Sequence, residues 1–75
     1  MEEQHTTHTA VLHSGADYLD SIATDMEKEA ISIEAKAQQT HILQVRDGYE
    51  RFGEVLRHCA QTLRAKSREL RDHSA

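Results

Sequence analysis

The sequence predicts an all-α, antiparallel helical hairpin of the coiled-coil type that assembles into a dimeric or hetero-oligomeric bundle. Three observations carry this expectation. Apolar residues recur in two runs with alternating three- and four-residue steps. The two runs are out of phase with each other. None of the 75 residues is proline, and only three are glycine.

The first run pairs a row of alanines, Ala16, Ala23, Ala30 and Ala37, with a row of larger residues, Leu12, Leu19, Met26 and Ile33. Steps of three and four place both rows on one helix face. With the alanines at position a, the larger residues fall at d. An all-alanine row lets a second backbone approach closely, toward the short end of the ~8–10 Å interaxial range. The second run is Ile42, Val45, Tyr49, Phe52, Leu56, Cys59, Leu63, Lys66 and Leu70. Only Lys66 departs from apolar, and a long lysine stem can snorkel from such a position. Continued past Ala37, the first run would use Thr40 and Gln44, whereas the second uses Ile42 and Val45. One straight helix cannot present both stripes on one face, so a chain reversal is expected.

Two places compete for the reversal. The change of register argues for residues 38–41, which contain no strong turn former. Local chemistry argues for Asp47-Gly48, because Asp is a good N-cap and Glu50 stands three residues on. The second choice gives helix 1 over about residues 10–46 and helix 2 over about residues 48–72, within a single helical-hairpin domain spanning 1–75. One long bent helix is the alternative. Ser14 offers a further N-cap with Asp17 at N3, and Gly15 weakens a helix running through it. Residues 1–9 and 72–75 show no periodicity and are expected to fray.

A chain this short buries little apolar surface by itself, so self-association or a helical protein partner is expected to supply the remainder. No apolar run approaches the ~20 residues that span a bilayer, so no membrane role is expected. Residues 1–8 are acidic and polar, unlike a secretory signal. The one cysteine, Cys59, allows no internal disulfide. These features favour a cytoplasmic location, with leaderless export still open.

The net charge of −4 is unevenly spread. Residues 1–47 carry nine acidic and three basic side chains, a balance of −6, and residues 48–75 carry six basic and four acidic, a balance of +2. Arg57, Arg64 and Arg71 stand seven apart, as do Asp20, Glu27 and Glu34. The economical reading pairs these two stripes across the hairpin. The other reading turns the arginines toward phosphates or an acidic partner.

Candidate chemistry is sparse. His5 and His8 would share a helix face, with Glu2 or His13 as a third group, but a zinc site takes three or four ligands in fixed geometry. These histidines are expected to be solvated. His58 and Cys59 are adjacent, and adjacent helical side chains diverge instead of facing each other. Asp17/Asp20 and Glu27/Glu29 read as a solvated acidic face, because two thin helices enclose no acid–base pocket. No Cys-x-x-Cys, His-Glu-x-x-His, Gly-x-Ser-x-Gly or phosphate-loop pattern occurs. No catalytic residue, cofactor or metal is therefore expected.

The alternating alanine and large-apolar layers resemble those of the plasmid repressor-of-primer family, dimers of helical hairpins that bind RNA. This is a likeness of packing pattern in the central part of the chain, and it implies no residue roles. The function expected from the residues is non-catalytic: an adaptor, chaperone, inhibitor or complex subunit acting through helix packing. The alternative is a small helical-bundle regulator that binds nucleic acid through Arg57, Arg64 and Arg71.

Overall fold

The computed structural model describes the backbone of residues 2–74 and the side chains of residues 8–73. Two helices make up the fold: α1, Glu2–Gln39, of 38 residues, and α2, Leu43–Ser74, of 32 residues. They lie side by side as an antiparallel rod whose Cα extents are 62 × 14 × 11 Å. Its long dimension is what a helix of nearly forty residues gives at ~1.5 Å per residue.

The chain reverses at residues 40–42, and not at Asp47-Gly48. Thr40 closes α1 twice, its amide donating to the Ala37 carbonyl at 3.3 Å and its hydroxyl to the Lys36 carbonyl at 2.9 Å. Ile42 opens α2 by accepting the Arg46 amide at 2.9 Å. No described residue has a positive φ, so the connection needs neither glycine nor asparagine. Asp47 and Gly48 lie inside α2. The Asp47 carboxylate pairs with Arg51 one turn on, at 3.0 Å, instead of capping a helix. Ser14 and Gly15 likewise lie inside α1, whose backbone is helical from Glu2 through the segment expected to fray.

Small residues fill the space between the helices. Ala16, Ala23, Ala30 and Ala37 of α1 are buried, as are Gly53, Ala60 and Ser67 of α2. The α2 row also steps by seven. Ser67 touches Ala16, and a Cβ on Gly53 would lie 3.9 Å from the Ala30 carbonyl oxygen. The same register sets Ala60 opposite Ala23. Small side chains on both helices allow a closer approach than leucine layers would.

This corrects the seam expected for the second helix. Phe52, Cys59 and Lys66 each precede an inner-row residue by one position, which turns them about 100° away from α1. Phe52 is 48% exposed, Val45 43% and Ile42, in the turn, 64%. Lys66 is exposed and pairs with Glu69 at 3.0 Å. The physical reason is steric. A row of Phe52, Cys59 and Lys66 against the alanine row would push the helices apart, whereas glycine, alanine and serine let the two backbones close.

Candidate functional site

Each inner-row residue fixes the direction of its neighbours three and four positions on. In α1, residues three after the alanines are Leu19, Met26 and Ile33, and those four after are Asp20, Glu27 and Glu34. In α2, residues three after the small row are Leu56, Leu63 and Leu70, and those four after are Arg57, Arg64 and Arg71. Because the helices run antiparallel, the two charged rows meet on one face of the hairpin and the two apolar rows on the other.

The charged face is a ladder. Arg57 donates Nε and Nη2 to the two Glu34 carboxylate oxygens at 3.2 and 2.5 Å. Arg64 holds Glu27 in the same two-pronged way at 3.3 and 2.6 Å, and it also donates to Thr24 Oγ1 at 3.0 Å. Arg71 reaches Asp20 at 2.8 Å and Asp17 at 2.6 Å. It also donates to the Ser67 hydroxyl, which itself donates to the Ala16 carbonyl at 3.2 Å. These bonds favour the charged forms. The Arg71, Arg64 and Arg57 guanidiniums hold Asp20, Glu27 and Glu34 respectively below the ordinary carboxylate range. The same hydrogen bonds raise the three arginines above theirs. The arginine stripe therefore points into the protein's own acidic row.

The opposite face is apolar and open. Leu12, Leu19 and Met26 of α1 are half-buried, as are Tyr49, Leu56, Cys59, Leu63 and Leu70 of α2. Ile33 is the one large apolar side chain among the described residues that reaches burial, at 6% exposure. Near the middle of the rod Met26, His58, Cys59, Thr62 and Leu63 border an apolar notch of about 270 Å³. A second open depression, about 490 Å³, lies along the first turns of α2 between Leu43, Gln44, Arg46, Asp47 and Glu50.

Of the interface residues expected from sequence, the four alanines lie in the seam itself. Leu12, Leu19, Met26, Ile33, Tyr49, Leu56, Cys59, Leu63 and Leu70 line its apolar edge. Ile42 and Val45 stand clear of it, and Phe52, in the heptad position of Cys59, is exposed on the outer border of that apolar side. The inner row Gly53, Ala60 and Ser67 was missed. Its signal was available in the seven-residue spacing and in arginines that follow it by four, as the carboxylates follow the alanines.

Among the described residues no cluster of three or more His, Cys, Asp or Glu side chains is placed to hold a metal ion. His5 and Glu2 lie outside the described side chains. His58 is exposed beside half-buried Cys59 on the notch rim. Among the described residues no helix is long and apolar enough to cross a membrane. No protein-family model matches the chain, and comparison with curated proteins and with solved structures yields no match.

Proposed function

We propose that this chain is a non-catalytic protein–protein interaction module whose working surface is the apolar face of the hairpin. One observation carries the reading. The seam is closed by alanine, glycine and serine, so Leu12, Leu19 and Met26 of α1 and Leu56, Leu63 and Leu70 of α2 are left half-covered along one side of the rod. Burying such a side chain fully is worth roughly 1.5–3 kcal/mol, and a two-helix hairpin alone forgoes most of that gain. A helical protein laid along the face would recover it, through the layered packing typical of four-helix bundles.

The nucleic-acid alternative draws less support. Arg57, Arg64 and Arg71 would have to release their carboxylates before meeting phosphates, and the chain is acidic overall. Catalysis draws none from two open depressions without a convergent set of perturbed groups.

The test is a set of charge insertions read by sedimentation. Leu19→Glu and Leu63→Glu place a carboxylate on the apolar face, and Tyr18→Glu places one on the exposed outer surface. Association should be lost in the first two variants and kept in the third. Equal association in all three would remove this face as the working surface.

A further inference from the structure

The same apolar face carries a knob and a hole. Phe52, 48% exposed, projects from α2 one heptad before Cys59, and Cys59 borders the 270 Å³ notch. Four of the five residues lining that notch belong to α2. From these features we infer that the face is occupied by a second copy of this chain, packed antiparallel about a two-fold axis. This rests on the interaction-module reading above and names its partner.

An isologous interface requires one patch to contain both halves of each contact. Here the ring and the notch sit on one stripe of one helix, with Leu56 midway between them. A two-fold axis crossing the rod at Leu56, perpendicular to the helices, sets α2 against the second α2 and seats each Phe52 in the other copy's notch. Charge does not oppose the pairing. The ladder occupies the far face, while both signs flank the apolar rows, Glu29 and Glu69 beside Lys36 and Lys66, with Lys66 paired to Glu69. No single-sign field repels a second copy or demands a partner of opposite charge.

The area also fits. The chain exposes 5863 Å², whereas a compact monomer of 8.5 kDa would expose about 4,700 Å². The excess, roughly 1,200 Å² by that scaling, is surface that the elongated shape of the whole rod leaves uncovered. A second rod laid alongside would cover part of it, and a standard interface takes ~800 Å² from each partner. Two rods laid face to face make a four-helix bundle of ordinary proportions.

Cys59, the only cysteine, reports on the notch directly. The full chain, its Phe52→Ala variant and a Val11→Ala control, at an exposed position of α1 far from the axis, are treated with N-ethylmaleimide across a hundredfold range of protein concentration. Mass is followed by sedimentation and helicity by circular dichroism. The wild type and Val11→Ala should be dimers in which Cys59 reacts at least tenfold more slowly at high concentration than at low. Phe52→Ala should react fast throughout. A dimer whose Cys59 stays equally reactive at every concentration would overturn this packing. A weakly helical monomer would overturn the second copy and leave the broader reading, since the chain would then need a different protein to fold upon. A fully helical monomer at the highest concentration would overturn both.

Discussion

The Ser67 hydroxyl donates to the main-chain carbonyl of Ala16, 3.2 Å away on the opposite helix. A serine Oγ is only two bonds from its own Cα, so this contact means the two backbones nearly touch. It fixes the register of the whole seam and defines what the seam excludes. Bulk at position 67 should therefore matter more than the hydroxyl. Ser67→Ala is expected to change stability by no more than about 1 kcal/mol, the usual net value of one hydrogen bond. Ser67→Leu should lower it by roughly 1–3 kcal/mol through overpacking. Urea denaturation at one fixed protein concentration measures both, and equal losses would mean that the helices are not in close contact here.

The same reasoning applies across the alanine row. Ala30 is fully buried, whereas Ala35 lies on the outer surface of α1. Ala30→Leu should cost roughly 1–3 kcal/mol, and Ala35→Leu should leave stability almost unchanged, since the two residues have similar helix propensity. Thermal melts in which the two variants behave alike would dissolve the seam as described.

Two glycines of α2 should respond differently to one methyl group. Gly48 has open space around its missing Cβ. Gly48→Ala is expected to stabilise the protein by about 0.5–1 kcal/mol, the usual penalty of glycine inside a helix. At Gly53 a Cβ would lie 3.2 Å from Glu34 Cγ, tighter than ordinary contact, and Glu34 is tethered to Arg57. Gly53→Ala should therefore gain less than Gly48→Ala, and Gly53→Leu should destabilise. Guanidinium midpoints would contradict the account if alanine helped equally at both positions.

The ladder predicts an acid limb in the stability profile. Asp20, Glu27 and Glu34 are held below their ordinary values of 3.8, 4.5 and 4.5. A carboxylate depressed on folding contributes stability that is fully present above its unfolded value and is lost as pH falls through the folded one. The loss should therefore begin near pH 4–5 and continue below it, with little change between pH 6 and 8 from these groups. The pairs are partly exposed, so salt should shrink the effect. Glu27→Gln should flatten the acid limb. Denaturation midpoints at pH 6 and pH 2.5 check this, and an unchanged limb in Glu27→Gln would assign it to other carboxylates.

How far the sequence revealed this arrangement varies along the chain. The alanine row and the leucine rows were legible because a heptad spacing survives any choice of turn. So was the match between Asp20, Glu27, Glu34 and Arg57, Arg64, Arg71. The turn was not, because Thr40, His41 and Ile42 carry none of the usual punctuation, while Asp47-Gly48 does and is nevertheless helical. Tertiary packing outweighed local preference there. The rotation of α2 was misread for a related reason. Counting apolar side chains favours Phe52 and Cys59 over Gly53, Ala60 and Ser67, yet close approach selects for small size and not for hydrophobicity.

The central claim is that the hairpin gains its stability by covering its apolar face with protein. The most direct measurement is the thermal midpoint of the isolated chain across a hundredfold range of concentration, followed by circular dichroism. Folding coupled to association must strengthen by mass action. The account predicts a midpoint that rises with concentration and helix that is lost on dilution. A highly helical chain whose midpoint does not move with concentration, and whose mass stays that of one copy, would contradict it.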